Sequence, residues 1–271
     1  MMALSALAFV GTTGAFGACS DGDQPAVAEA DSGATPSGPR TPGFTFEVVA
    51  EYPHDTAAFT QGLLWHEGRL FESTGTVGKS NIREVTLASG KVVRQQPLEE
   101  PHFGEGIVIM GNTLYQITWE SGKAFTYDWQ SFKRTGEFSY DGQGWGLTTD
   151  GTSLIMSNGS NVLIYRDPKT FAATKALEVN DQGNIVSQLN ELEWVKGEIW
   201  ANIWQKDSIA RIDPVTGNVT GWIDLTGILP QLDRTGKEDV LNGIAYDAAT
   251  DKIHVTGKLW PKLYEIRLKP R

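Results

Sequence analysis

Five short apolar segments of this chain open alike, and the residue just before each apolar run is polar or a Trp. The openings are Thr60-Gln61-Gly62-Leu63, Gly104-Glu105-Gly106-Ile107, Gly144-Trp145-Gly146-Leu147, Leu189-Asn190-Glu191-Leu192 and Leu241-Asn242-Gly243-Ile244. Alignment places Gln61, Glu105, Trp145, Asn190 and Asn242 at one equivalent position, with successive intervals of 44, 40, 45 and 52 residues. Repeats of roughly 40 to 50 residues are those of propeller blades, in which each unit buries its apolar faces against its neighbours. A radial repeat turns equivalent positions into a ring.

Each repeat continues as a hairpin with suitable turn chemistry. Gly62–Trp65 turns at His66-Glu67-Gly68, Ile107–Met110 at Gly111-Asn112, Leu147–Thr149 at Asp150-Gly151, and Leu192–Val195 at Lys196-Gly197. Gly, Asn and Asp stand where such turns need positive φ. The fifth hairpin turns through Asp247–Asp251, and the chain ends after Lys262–Leu268, which leaves that repeat one strand short. The alternating segment Phe44–Ala50 supplies the missing strand and removes an open edge. The expected fold is all-β, a five-bladed β-propeller over residues 44–271 whose last blade is closed by the N-terminal strand. The longest interval is assigned to a surface-loop insertion at Thr226–Val240, which holds Pro230, Gly236 and five charged residues.

Ala3–Ala18 is small and apolar and leads directly into Cys19-Ser20-Asp21, although no Lys or Arg precedes it. About 16 residues are too few to span a bilayer, so residues 1–18 read as a signal peptide. Residues 19–43, rich in Ala, Pro, Gly and Ser, read as a flexible tether. Phe16-Gly17-Ala18-Cys19 resembles a bacterial lipobox, which leaves two outcomes open: acylation of Cys19, with anchoring to a bacterial membrane, or secretion to the periplasm with Cys19 discarded. Cys19 is the sole cysteine, so no internal disulfide forms. The net charge of −10 without a basic run excludes a nucleic-acid surface.

The start of a first strand and the end of the second lie on the same face of a blade. Counting 14 residues on from each ring position reaches Gly75, Trp119, Gly159, Trp204 and Thr256, the last within Thr256-Gly257-Lys258. One mouth therefore gathers Gln61, Glu105, Asn190, Asn242, Trp119, Trp145, Trp204 and Lys258, with a second reading open for Asn242 as a turn amide that satisfies backbone groups. Aromatic walls with a few polar groups make a small-ligand site. Trp65, Trp129, Trp194, Trp200 and Trp222 fall within strands or outer turns and are assigned to packing. The four His have no metal-ligand spacing, so no cofactor or metal is expected. One ring carboxylate, with Glu191 and Glu193 nearby, is too few for a calcium-dependent lactonase.

Phe59-Thr60-Gln61-Gly62-Leu63, Phe103-Gly104-Glu105-Gly106, Asn190-Glu191-Leu192-Glu193-Trp194, Leu241-Asn242-Gly243-Ile244-Ala245-Tyr246-Asp247 and Thr256-Gly257-Lys258-Leu259-Trp260-Pro261 together resemble the motifs of the plant and bacterial glutaminyl-peptide cyclotransferases. The resemblance runs from Phe44 onward. It implies a metal-independent five-bladed propeller that converts N-terminal Gln of peptides to pyroglutamyl with release of ammonia. Glu105 is then the general acid/base, Asn190 and Lys258 stabilise the oxyanion, and Gln61, Trp119, Trp145 and Trp204 hold the substrate, with Phe59 and Phe103 as further lining. Peptides beginning with Gln are the expected partners, and the protein is expected to act as a monomer. A rival reading, an exported propeller that binds a peptide terminus without chemistry, needs a hydrogen-bonding group at position 105 but no proton carrier.

Overall fold

A computed structural model describes residues 41–271. The expected leader, Cys19 and almost all of the tether lie outside the described residues. Strands account for nearly all the regular structure. After β1 (Gly43–Pro53), the first sheet runs β2 (Thr60–His66), β3 (Arg69–Thr74), β4 (Asn81–Thr86) and β5 (Lys91–Pro97). The second runs β6 (Gly104–Met110), β7 (Thr113–Thr118), β8 (Lys123–Asp128) and β9 (Arg134–Ser139). The third holds β10 (Leu147–Thr149), β11 (Leu154–Met156), β12 (Val162–Arg166) and β13 (Ala173–Glu178), followed by a small hairpin of β14 (Asn180–Asp181) and β15 (Asn184–Ile185). Then come β16 (Leu189–Val195), β17 (Glu198–Ile203), β18 (Ser208–Ile212), β19 (Val219–Asp224), β20 (Leu241–Asp247), β21 (Lys252–Gly257) and β22 (Lys262–Pro270).

These last seven strands join β1 in one eight-stranded sheet of order β16-β17-β18-β19-β1-β22-β21-β20. β1 pairs antiparallel with β22 from Phe44↔Pro270 to Pro53↔Lys262. The N-terminal strand thus occupies its expected place, and is longer than Phe44–Ala50. It also pairs in parallel with β19 through Gly43↔Trp222 and Phe44↔Ile223, which fuses two four-stranded groups into one sheet.

The strand sequences explain the layering. β2, β6, β16 and β20 are buried along almost their whole length, whereas the outer strand β5, KVVRQQP, is exposed almost throughout. Charge and a terminal Pro on such an edge discourage pairing with another chain. The Glu67-Gly68 and Lys196-Gly197 turns have positive φ at both residues (48° and 76°, 51° and 85°), as tight hairpins that follow strand twist require.

Apolar side chains meet between sheets. Phe71 and Ile82 of the first sheet pack with Leu114 and Phe125 of the second, and Ile117 of the second with Leu154 of the third. Leu163 packs with Ile199, Trp200 with Tyr264, and Leu63 of the first sheet with Leu263 of β22. The sequence of interfaces therefore returns to its start. The initial strands β2, β6, β10, β16 and β20 neighbour one another in the same cyclic order. This is an all-β, propeller-like architecture.

The Thr226–Val240 segment departs from the expected surface loop. Ile228 and Leu229 are buried in the core shared by β16–β19 and β20–β22, while Thr226, Gly227 and most of residues 230–240 remain exposed, Leu232 among them.

Candidate active site

Four of the five initial strands carry a register irregularity at the ring position: between Thr60 and Gly62, Gly104 and Ile107, Leu189 and Leu192, and Leu241 and Ile244. A bulge adds backbone to one strand of a pair, bends it and re-aims its side chains. Gln61, Glu105, Asn190 and Asn242 all sit within these bulges. In four of the five repeats the shared sequence opening is thus a shared backbone distortion at a polar residue.

The second-strand positions are set by backbone hydrogen bonds. The Gly75, Trp119 and Trp204 amides donate to the Phe59, Phe103 and Gln188 carbonyls at 2.8, 3.1 and 2.9 Å. In the fifth repeat the equivalent bond comes from Lys258, which donates to Val240 at 2.9 Å. The 14-residue count therefore fails there, and Lys258 replaces Thr256 as the ring equivalent. The physical reason is the turn: Asp247↔Lys252 encloses four residues where His66↔Arg69 encloses two.

Glycine at two of these positions makes room for aromatic rings. A Cβ on Gly75 would lie 2.3 Å from the Phe103 ring, and one on Gly159 would lie 2.7 Å from Trp145. The ring positions thus alternate between an aromatic wall and a gap that a neighbouring aromatic fills.

A cavity of about 420 Å³ opens here, lined by Phe59, Gln61, Phe103, Glu105, Trp119, Trp145, Asn190, Trp204, Gln205, Asp239, Val240 and Lys258. All nine expected site residues line it. Trp119, 39% exposed, stands at the rim, while Gln61, Glu105, Asn190 and Lys258 are buried. Trp145 meets Trp204 edge-on at 5.7 Å, and Phe103 meets both Phe59 and Trp119 edge-on. The Trp119 and Trp145 indoles both donate to Gln143 Oε1, at 3.1 and 3.0 Å, so one amide sets two walls. Gln61 Nε2 donates to Glu105 Oε1 at 3.0 Å. Lys258 Nζ lies 4.8 Å from the centre of the Phe59 ring, a favourable cation–π placement.

Burial raises the Glu105 pKa well above the ordinary carboxylate value, although the charge of Lys258 opposes the rise. Burial also lowers the Lys258 pKa, against the pull of Glu105 and Asp239. Both groups are moved towards the range in which protons exchange near neutrality. A carboxyl that can carry a proton, a cation, two amides and aromatic walls can orient a small amide and move a proton between two nitrogens.

A family model described as Glutamine cyclotransferase matches residues 24–268. This chain belongs to that family. Its similarity to a curated glutaminyl-peptide cyclotransferase of Arabidopsis thaliana is 47% identity over 227 residues, 82% of this chain and 71% of the relative. The solved Myxococcus xanthus glutaminyl cyclase is 39% identical, with a TM-score of 0.80, covering 86% of this chain and 100% of that one.

For Asn242 the structure decides between the two readings. Asn242 lies behind the cavity: it is fully buried, and its amide donates to the Thr60 carbonyl at 3.0 Å and to Gln61 Oε1 at 3.3 Å. It therefore fixes Gln61 from behind and leaves the substrate space to others. Glu191 also lies away from the cavity. Its carboxyl accepts from the Leu63 and Ile244 amides at 3.2 and 2.9 Å, bracing β16 against β2 and β20. Glu193 accepts from the Tyr246 amide at 2.8 Å and lines a separate space with Leu64, Val108 and Thr148.

Gln205, Asp239 and Val240 were not foreseen. Gln205 directly follows Trp204, so the register could have found it. Asp239 and Val240 come from the insertion, where no repeat guides the reading. Of the Trp residues assigned to packing, Trp129 and Trp200 are buried, Trp194 and Trp222 pack partly buried against the core, and Trp65 stacks on His254 at 5.2 Å. Among the described residues, no group of three or more His, Cys, Asp or Glu side chains is placed to hold a metal ion.

Proposed function

We propose that this protein converts the N-terminal Gln of peptides to pyroglutamyl with release of ammonia, in a five-bladed propeller spanning residues 44–271. The observation that carries the reading is the buried Glu105, hydrogen-bonded to Gln61 and facing Lys258 and Asn190 across one aromatic cavity, in a chain of the glutamine cyclotransferase family. Family membership disfavours a binding module without chemistry.

The substrate's α-nitrogen attacks the carbon of its own side-chain amide. Its lone pair forms the new C–N bond while the carbonyl π pair moves onto oxygen. Glu105 accepts the proton that the attacking nitrogen loses and delivers it to the departing amide nitrogen. The oxygen lone pair re-forms the carbonyl as that C–N bond breaks, and ammonia leaves with its electrons. A free α-amine of pKa about 7.7 to 8.0 is already partly neutral at mild pH, so a modest base suffices. Lys258 and the Asn190 amide face the developing oxyanion and stabilise it where water is excluded. Because the reaction is intramolecular, much of the rate comes from holding the Gln side chain folded back on its amine. Trp119, Trp145, Trp204, Phe59 and Phe103 provide the walls for that conformer, and Gln61 hydrogen-bonds the amide.

The cyclic order of interfaces, from the first sheet back to itself through β22, supports five blades with the last completed by β1. The apolar Ala3–Ala18 segment before Cys19 supports export, to the periplasm or to a lipid anchor at Cys19. The catalysis proceeds without a metal cofactor in this reading. Ammonia release from a Gln-initiated dipeptide, with and without chelator, tests it. Turnover unaffected by chelator is expected, and activity abolished by chelator and restored by zinc would overturn it.

A further inference from the structure

The geometry points to His54 as a positioning residue: its imidazole ties the turn that carries Lys258 to the buried Glu72 carboxylate, which holds Thr60 next to Gln61. His54 Nδ1 lies 2.7 Å from the Trp260 carbonyl oxygen, and Nε2 lies 3.0 Å from Glu72 Oε1. The His54 backbone amide donates to the Pro261 carbonyl at 2.9 Å, so residue 54 holds two successive carbonyls of the turn. Glu72 also accepts from Thr60 Oγ1 at 2.7 Å and pairs with Arg83 Nε at 3.0 Å. Arg83 Nη1 reaches Asp55 at 2.8 Å. One end of this network therefore adjoins Gln61, and the other is two residues from Lys258.

The turn needs such support. Leu259 adopts φ +61°, a conformation rare for an apolar side chain, which persists where the surroundings over-determine it. The Leu259 amide donates to Ala58 at 2.7 Å, the Asp239 amide to the Lys258 carbonyl at 3.0 Å, and the Trp260 indole to the Asp239 carbonyl at 2.9 Å. The same turn thereby also fixes Asp239 at the cavity.

Both His54 ring nitrogens face acceptors, so both contacts are hydrogen bonds only when the ring is an imidazolium. Burial pushes its pKa down, but the Glu72 charge and hydrogen bond and the Trp260 carbonyl outweigh burial and the opposing Arg83, leaving it raised. Glu72 is in turn held at about 2 despite its burial, chiefly by His54 and Arg83. The groups facing the ring are thus Glu72 from β3, Arg83 from β4 and the Trp260 carbonyl, with Asp55 behind Arg83. The double contact is complete below the ordinary His value and is lost as pH rises through the raised one.

This inference rests on the proposed role of Lys258, and the test separates the two. Ammonia release is measured across pH for the parent, His54→Leu, His54→Asn, Lys258→Met and the His54→Leu/Lys258→Met double variant, with Tm for each. A displaced Lys258 should cost His54→Leu about 10-fold or more in kcat, with KM changed less than about 3-fold. His54→Asn keeps a donor towards Trp260, so it should recover most of that loss and lack the alkaline decline attributed to the imidazolium. If His54 acts through Lys258, the double variant should be no slower than Lys258→Met alone. A folded His54→Leu protein with parental kcat and pH profile would overturn the inference. So would losses that multiply in the double variant, which leave the role of Lys258 intact. Parental turnover in Lys258→Met would overturn the Lys258 reading itself. Should His54→Leu fail to fold, the ¹⁵N spectrum of the parent imidazole decides: a ring mostly doubly protonated at the ordinary His value of 6.5 is expected, and a mostly neutral ring there would overturn the proposal.

Discussion

Gln61 Nε2 donates a hydrogen bond to Glu105 Oε1 at 3.0 Å, joining the first and second sheets across the floor of the cavity. Asn242 donates to Gln61 Oε1 at 3.3 Å from behind. Three residues at one equivalent position, in three repeats, therefore form a chain that ends on the proposed proton carrier. The direction of that chain leaves Glu105 as an acceptor from the protein and turns its remaining capacity towards substrate.

Replacing Glu105 with Gln keeps the shape and the hydrogen bond to residue 61 but removes the proposed proton carrier. Turnover of a Gln-initiated peptide should fall by at least the ~10²-fold typical of general acid–base groups, while KM changes only a few-fold. Steady-state ammonia release gives both constants. Turnover within a few-fold of the parent would place the proton carrier elsewhere.

Lys258→Met removes the cation proposed to face the developing oxyanion and leaves an aliphatic side chain beside Phe59. A fall in kcat of about 10² to 10³-fold is expected from lost electrostatic stabilisation. The matched control is Thr256→Val. The hydroxyl of Thr256 bonds to the Lys262 carbonyl at 2.9 Å, away from the cavity, so this variant should lose stability and retain turnover. The opposite ranking would restore Thr256 as the functional ring equivalent.

Gly75→Ala tests the gap beneath Phe103. Its φ lies outside the left-handed region, so the effect is steric: the new methyl would meet the Phe103 ring at 2.3 Å and Gln61 Cγ at 3.1 Å. Overpacking of this kind costs about 1 to 3 kcal/mol. KM should rise together with a lower Tm if the displaced ring is the substrate wall proposed above. A lower Tm with KM unchanged would remove Phe103 from the binding surface.

Glu193 gives a stability prediction separate from catalysis. Burial raises its pKa to about 8, against hydrogen bonds from the Tyr246 and Trp194 amides. The folded state then binds a proton that the unfolded chain has already released above its ordinary value. Stability should therefore decline from about pH 4.5 to about 8 and level off beyond. Glu193→Gln should flatten that decline in a Tm series across pH, with little change at pH 4.5. An unaltered slope would show that Glu193 ionises without penalty.

The sequence alone determined the repeat, the all-β architecture, the place of the N-terminal strand and nine of the twelve residues that line the cavity. These were legible because equivalent positions in a radial repeat share one backbone environment, so a local opening such as Gly104-Glu105-Gly106 carries positional information. The tertiary structure decided what depends on register, direction and distant contact. A four-residue turn moved the ring position from Thr256 to Lys258, a shift that counting along the chain cannot detect without strand pairing. Asn242 and Asn190 occupy the same opening, yet one bonds backwards to Gln61 and the other lines the cavity, because each neighbouring sheet offers different partners. Asp239 and Val240 reach the site from an insertion outside the repeat, and His54 reaches the Lys258 turn from 204 positions earlier in the chain. Such contacts follow from ring closure, which brings the two ends of the domain together, and local sequence pattern has no term for it.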